Sequence, residues 1–195
     1  MIEFRSLCAD EIECRVQSCG EKNGKSWCRV LLYKDARCDM NILDEMIGPE
    51  NWQRDHKELK GNIYCGVGIN VNANKMRNSE PLEPLWVWKW DCGAESNTEK
   101  EKGEASDSFK RACVNWGIGR ELYTKIPINI FELPYKVVKD KVAIDGTFEI
   151  EKIEIDKPNN EIIALSLLFV QGKEKKRCFV WTKDKGTLQA KIKEA

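Results

Sequence analysis

The run Glu101–Tyr123, EKGEASDSFKRACVNWGIGRELY, constrains the fold most, because its spacing suits one secondary structure and its glycines then stop it. With Phe109 at the origin of a helical wheel, Ala112, Cys113 and Trp116 fall within about 60° of it, a face that has to be buried. Arg111 lies roughly 200° round and Lys110 about 100°, so one points away from that face and the other sits on its shoulder. Gly117 and Gly119 bracket Ile118 and end the helix or let a second backbone come close. Ser106 and Asp107 are N-cap candidates, and the charged residues before them allow a start one or two turns earlier.

The segments before this helix are mostly strand-like. ADEIECRVQ sets Ile12 and Val16 at helical spacing and predicts a short amphipathic helix, EKNGK turns the chain, and SWCRVLLY reads as a strand. DARCDMNILDEMIG predicts a helix capped by Asp35 and stopped by Gly48, with Ala36, Met40, Leu43 and Ile47 on one face. NWQRDHKELK, NIYCGVGINV and PLWVWKWDC are three strand candidates, with KGN closing the first hairpin and ANKMRNSEPLEP as a longer loop. This order gives an α+β fold, with antiparallel strands and a long helix, and not the alternation of a parallel α/β sheet. After Tyr123, TKIPINIFELPYKVVKDKVAIDG has two prolines and no clean period and reads as a connection. TFEIEKIEID, EIIALSLLFVQ and KRCFVWTKD then predict a C-terminal three-stranded β-meander with KPNN and GKEK as turns, and LQAKIKEA a frayed helix. The expected divisions are a core over 1–125, a connection over 126–146 and a C-terminal appendage over 147–195.

Composition limits the function. The 195 residues are 42% hydrophobic and 33% charged, the make-up of an ordinary soluble domain. No apolar run approaches eighteen residues, and MIEFRSLCADEIECRV carries acids where a signal peptide needs an apolar centre, so a cytoplasmic protein without a membrane partner is expected. Nine cysteines, an odd count, argue for reduced thiols. No Cys-x-x-Cys occurs and His56 is the one histidine, so zinc spacing is missing and neither metal nor cofactor is expected. Cys65, Cys92 and Cys113 stand where small apolar residues fit; the sharper alternative, a nucleophilic thiol, has only His56 as histidine base. Lys plus Arg equals Asp plus Glu at 32 each, which excludes binding a polyanion through bulk charge. A nucleic-acid partner then needs basic residues gathered locally. Between Lys102 and Lys125 five basic residues meet three acids, with Lys110, Arg111 and Arg120 among them.

LDEMIGPENWQ, WVWKWD and GEASDSFKRACVNWGIGRELY, in this order and spacing, resemble the phage and bacterial single-strand annealing proteins of the Sak type, within the wider Rad-fifty-two superfamily of recombination proteins. The similarity covers roughly Ala9 to Lys125. It implies a strand-strand-strand-helix core that assembles side by side into rings or arcs, with single-stranded DNA along a continuous positive groove and no covalent chemistry. The positions matching the groove-lining pair are Lys110 and Arg111, and Arg37 is the counterpart of a basic contact near the start of the earlier helix. Arg120 and Lys102 extend the basic cluster. A single-strand-binding protein or a phage exonuclease is a further partner of the kind the resemblance implies. Two departures stand out: Gly48-Pro49-Glu50-Asn51 replaces a loop that carries a tyrosine in eukaryotic members, and Val114 replaces a further arginine.

Other constellations compete. Trp86, Trp88 and Trp90 share one strand face opposite Val87 and Lys89. With Trp52 they are candidates for base stacking, or for packing against the long helix or a neighbouring subunit. Glu58-Leu59-Lys60 is an acid-x-Lys element on a strand, and with Asp44 upstream it outlines a metal-dependent nuclease. A phage structural or scaffolding protein is the third reading. No Gly-x-x-x-x-Gly-Lys-Ser/Thr loop is present, so nucleotide hydrolysis is not indicated.

Overall fold

The computed structural model describes residues 2–93 and 100–188, the side chains of residues 100–102 excepted. The fold is α+β and mostly antiparallel sheet. The hairpin of β1 (Glu13–Lys22) and β2 (Lys25–Tyr33) is followed by α1 (Ala36–Ile47). Next come β3 (Trp52–Leu59), β4 (Asn62–Asn70), a small hairpin of β5 (Met76–Arg77) and β6 (Glu80–Pro81), then β7 (Trp86–Cys92) and α2 (Lys100–Trp116). Beyond a short turn of 3-10 helix at Arg120–Tyr123 lie β8 (Asn129–Phe131), β9 (Tyr135–Val138) and β10 (Lys141–Ile144). The chain continues as β11 (Thr147–Asp156), β12 (Glu161–Gln171), β13 (Glu174–Thr182) and β14 (Gly186–Leu188). Two compact units result, Met1–Arg5 with Asp35–Gly119, and Ser6–Lys34 with Arg120–Ala195. This division cuts across the one expected at Lys125.

In the first unit, the Asp35 carboxylate accepts the Arg37 N–H at 2.7 Å and starts α1, and Gly48 at φ 87° ends it, as expected. The buried face is not the expected one. Cys38, Asp39, Ile42 and Leu43 are buried, whereas Ala36, Met40 and Ile47 are only half-buried. A pattern of apolar residues cannot register Asp39, and its burial marks a face rotated from the apolar stripe. β3, β4 and β7 form one antiparallel sheet with β4 in the centre. Lys60 and Gly61, at φ 53° and 77°, make the two-residue turn between β3 and β4, which demands left-handed backbone at both positions.

The two-residue period gives that sheet two unlike faces. Trp52, Arg54 and His56 of β3, Cys65, Val67 and Ile69 of β4, and Lys89 and Asp91 of β7 share the face that meets α2. Trp52 packs on Phe109 with ring centroids 6.2 Å apart, and Trp116 Nε1 donates to the Val67 carbonyl at 2.9 Å. On the other face, Trp90 and Trp88 lie flat across Gly66 and Gly68, their cross-strand partners. A Cβ at either glycine would come within 2.5 or 2.6 Å of the ring. The packing of this tryptophan row against the long helix, one of its expected roles, is therefore excluded by the register.

β7 is an edge strand. Leu85 and Gly93 direct their backbone groups inward, to Val71 N and Ile63 O, so those of Trp86, Trp88, Trp90 and Cys92 point outward. Asn115 of α2 donates to the Trp90 carbonyl at 3.1 Å, and the Asp91 carboxylate accepts the Cys92 N–H at 2.9 Å. One end of the edge is thus capped, and among the described residues no strand pairs with the Trp86–Trp88 end.

The second unit corrects two expectations. Glu13–Lys22 is a strand, not a helix: Cys14, Val16 and Cys19 face the core, with Gln17 as an extra residue where the register shifts. Residues 126–146 are not a plain connection, because β8 pairs with β2 and β9 with β10. The expected meander is present as β11, β12 and β13, with β14 as a fourth strand. Cys28, Val30, Ile130, Phe148, Leu165, Leu167 and Phe179 are buried together as the core of this unit. Of the frayed helix expected at the C-terminus, Leu188 belongs to strand β14 and the rest, from 189 onward, lies outside the described residues.

Candidate nucleic-acid interface

Helix α2 displays its basic pair as the wheel predicts. Phe109, Ala112 and Cys113 are fully buried, Trp116, expected with them, is only half-buried, as is Lys110, and Arg111 is exposed. The pair lies on a helix anchored along the rest of its circumference, so its charges are held in place. Arg111 does not simply project into water. Its Nε donates to Asp91 Oδ1 at 3.2 Å, with the arginine side chain 45% exposed and the aspartate 26%. Asp91 Oδ2 in turn accepts from Asn115 at 3.1 Å. The carboxylate holds the guanidinium beside β7, and an exposed pair of this kind is worth only about 0–1 kcal/mol, so a phosphate can compete for it. Lys89 is occupied at the end of α2, where its Nζ donates to the Asn115 carbonyl at 2.8 Å and lies 4.4 Å from the Trp116 ring centre.

The other candidates scatter. Arg37 is exposed in the first turn of α1, in the same unit as Lys110 and Arg111. Arg120 is exposed on the 3-10 turn of the other unit. Lys102 is in the first turn of α2, but its side chain lies outside the described atoms. Trp52 is a packing residue: besides Phe109, its Nε1 donates to Asp44 at 2.7 Å. Trp86 and Trp88 lie on the sheet face away from α2, with Trp88 stacked on Trp90 at 5.8 Å.

Sequence reasoning misses Arg54. Its guanidinium lies 5.2 Å above the Phe109 ring, which places an exposed cation beside α2. Strand alternation with Trp52 is the signal that could find it, since it puts both residues on one face. Asp91 is missed as well, because a lone acid ending WVWKWD has no motif.

The nuclease alternative loses its geometry. Asp44 is engaged by Trp52 at the start of β3, and Glu58 lies six residues along that strand, about 20 Å away. Lys60 is in the turn and not on the strand face beside Glu58. Among the described residues no group of three His, Cys, Asp or Glu is placed to hold a metal ion. Nor is any described helix long and apolar enough to cross a membrane. No disulfide is present among the described residues, with Cys65 and Cys113 buried as expected and Cys92 half-buried. Burial raises Cys65 to about 11, which makes it a poor nucleophile.

A family model described as Rad52/22 family double-strand break repair protein matches residues 5–129, well over half of the chain. The chain belongs to the Rad52/22 family. No curated protein and no solved structure matches it. Membership places the protein among DNA-binding proteins of recombination and repair. The Rad52/22 match takes in the β1–β2 hairpin, all of Asp35–Gly119 and the first residue of β8, and stops before the C-terminal sheet.

Proposed function

We propose that this Rad52/22 protein is a single-strand annealing protein of the Sak type, phage- or prophage-borne and active in the bacterial cytoplasm. It holds single-stranded DNA through phosphates and presents the bases to a complementary strand. The observation that carries the reading is the basic pair of half-buried Lys110 and exposed Arg111 on a helix whose other face is fixed by Phe109, Ala112 and Cys113. Arg37 and Arg54, exposed cations of the same unit, are further phosphate contacts, and Arg120 and Lys102 are secondary ones. The three-stranded sheet with α2 is then the strand-strand-strand-helix core, and residues 1–125 carry annealing.

A cluster this small binds one strand weakly alone, so copies act side by side in a ring or arc and sum their contacts. Among the described residues β7 and β3 are the two edge strands of their sheet, and such edges favour this assembly. Pairing of bases supplies the free energy, and no enzyme activity is invoked. A single-strand-binding protein or a phage exonuclease would deliver the substrate.

The test is the Lys110→Ala, Arg111→Ala double variant, compared with wild type for binding of a fluorescent oligo-dT and for annealing of complementary oligonucleotides. The variant should fold and assemble while binding and annealing fall together, and the log–log salt slope should drop by about 0.7 for each phosphate that is no longer neutralised. Wild-type annealing by a folded, assembled double variant would sink the reading.

A further inference from the structure

Two side chains on the inner face of the β1–β2 hairpin are thiols, and the register sets Cys19 of β1 opposite Cys28 of β2. The Ser26 carbonyl accepts the Glu132 N–H at 2.9 Å, and the Val30 N–H donates to the Ile128 carbonyl at 3.0 Å. Ser26, Cys28 and Val30 therefore turn their backbone groups away from β1, which makes Cys19 and Cys28 a non-hydrogen-bonded pair. The Cα atoms of such a pair are about 4.5 Å apart, within the range that a disulfide spans without moving the backbone. The next pair pins this register: the Trp27 indole lies across Gly20, where a Cβ would come within 2.9 Å of the ring.

The two thiols differ in access and in what they hold. Cys28 is 1% exposed within the core of the unit, whereas Cys19 is half-buried at its margin. Cys19 Sγ donates to the Val142 carbonyl of β10 at 3.1 Å. Lys139 and Asp140, both at positive φ, turn the β9–β10 hairpin, and the Asp145 N–H donates to the Pro134 carbonyl at 2.9 Å at its open end. Alternation between these two points leaves the Val137–Val142 pair without ladder bonds. The Val142 carbonyl thus points out of its own hairpin, and the Cys19 thiol is its described donor. β9 is exposed along its whole length, so this hairpin is held through β10.

We propose that Cys19 and Cys28 are a peroxide-sensitive switch: they close into a reversible cross-strand disulfide, which withdraws the hydrogen bond to Val142 and loosens the β9–β10 hairpin. The Cys19 sulfur attacks the O–O bond of hydrogen peroxide, keeping one oxygen as a sulfenic acid while the other leaves as water. The Cys28 sulfur then displaces the sulfenic oxygen as a second water, so two thiols and one peroxide give one disulfide and two waters. Burial pushes the Cys28 thiol up to about 12, which leaves the first step to the more accessible Cys19. A disulfide sulfur carries no proton, so the Val142 carbonyl loses its donor. A dithiol reductant returns two electrons and two protons and restores the latch. The device is independent of where the protein holds DNA.

The experiment treats the full chain with hydrogen peroxide, blocks the remaining thiols with N-ethylmaleimide, and maps tryptic peptides without reduction while amide hydrogen exchange is followed in parallel. Cleavage after Arg15, Lys22, Lys25 and Arg29 leaves each of the two cysteines alone on its peptide, so a link between them is read directly as a mass. Peptide 16–22 joined to peptide 26–29 is expected, with exchange over 135–144 faster by at least about fivefold, the factor carried by one hydrogen bond. Dithiothreitol should reverse both. Cys19→Ser keeps a hydroxyl donor for Val142 and should show neither change under peroxide, whereas Cys19→Val, with no donor, should show the fast exchange without oxidant. Cys28 linked to Cys178 instead, or a Cys19 that stays a thiol after the exposed Cys8 has been oxidised, would overturn the proposal. A Cys19–Cys28 disulfide that leaves exchange over 135–144 unchanged would overturn it as well.

Discussion

Asp91→Asn separates the two duties of the carboxylate that holds Arg111. A phosphate seated on the far side of the guanidinium lies about 7 Å from Asp91, taking the 3.2 Å Nε to Oδ1 contact and adding the guanidinium and a second hydrogen bond of ~2.8 Å. At the dielectric of water two like charges at that distance repel by about 0.6 kcal/mol, and physiological salt reduces this to roughly 0.3 kcal/mol. Removing the charge should tighten single-stranded DNA binding by about 1.5- to 3-fold per phosphate so held. Asn retains an acceptor for the Cys92 N–H but turns an amide toward Asn115, at a cost of about 0.5–1.5 kcal/mol in stability. Fluorescence anisotropy with oligo-dT at several salt concentrations reads the first effect, and urea unfolding reads the second. Arg111→Ala should move affinity the other way. If Asp91→Asn weakens binding in a folded protein, the carboxylate serves to present Arg111, and the competition argument is wrong.

Phe109→Ala should cost about 3–5 kcal/mol in urea unfolding, since the ring is fully buried, with DNA binding at low temperature retained by the fraction still folded. Gly93→Ala sets a Cβ 2.1 Å from the Glu104 carbonyl oxygen, a backbone atom that cannot swing aside, so the variant should lose the cooperative unfolding transition or be recovered only as aggregate. Stability should fall above pH 9. Burial pushes the thiols of Cys14 and Cys65 up to about 11 and those of Cys28 and Cys178 up to about 12 from an ordinary value of 9.0. Their contribution is complete below 9.0, where both states hold the proton, and is lost as pH rises through 11 to 12, because the unfolded chain ionises first. A urea midpoint at pH 10.5 equal to that at pH 8 would refute this.

Much of α2 and its surroundings is legible in the sequence because period and punctuation agree. The buried Phe109 face, Asp35 as cap, Gly48 as stop and the strands around KGN follow from local rules that tertiary packing does not oppose. Glu13–Lys22 misleads because Ile12 and Val16 fit a helical step as well as two strand steps, and the Gln17 bulge disturbs the alternation that decides between them. Residues 126–146 resemble a loop because Lys139 and Asp140 turn the β9–β10 hairpin without the usual Asn-Gly pair. For the basic site, spacing gives the direction of Lys110 and Arg111 but not the cross-element partners, Asp91 and Asn115. Nor does alternation along WVWKW say which face meets the helix. That is decided by what stands opposite on β4, with Cys65, Val67 and Ile69 on one side and two glycines on the other.

The glycines under Trp27, Trp88 and Trp90 tie pairs of positions together in descent. A strand glycine without a ring above it is a weak point of bare backbone, and a larger residue under the ring evicts it. Each glycine and its tryptophan are therefore replaceable only together, and a single step in either direction passes through a less stable intermediate. Lineages descended from a common ancestor should show Gly20 with Trp27, Gly66 with Trp90, and Gly68 with Trp88 either both kept or both exchanged for a pair such as Val and Thr.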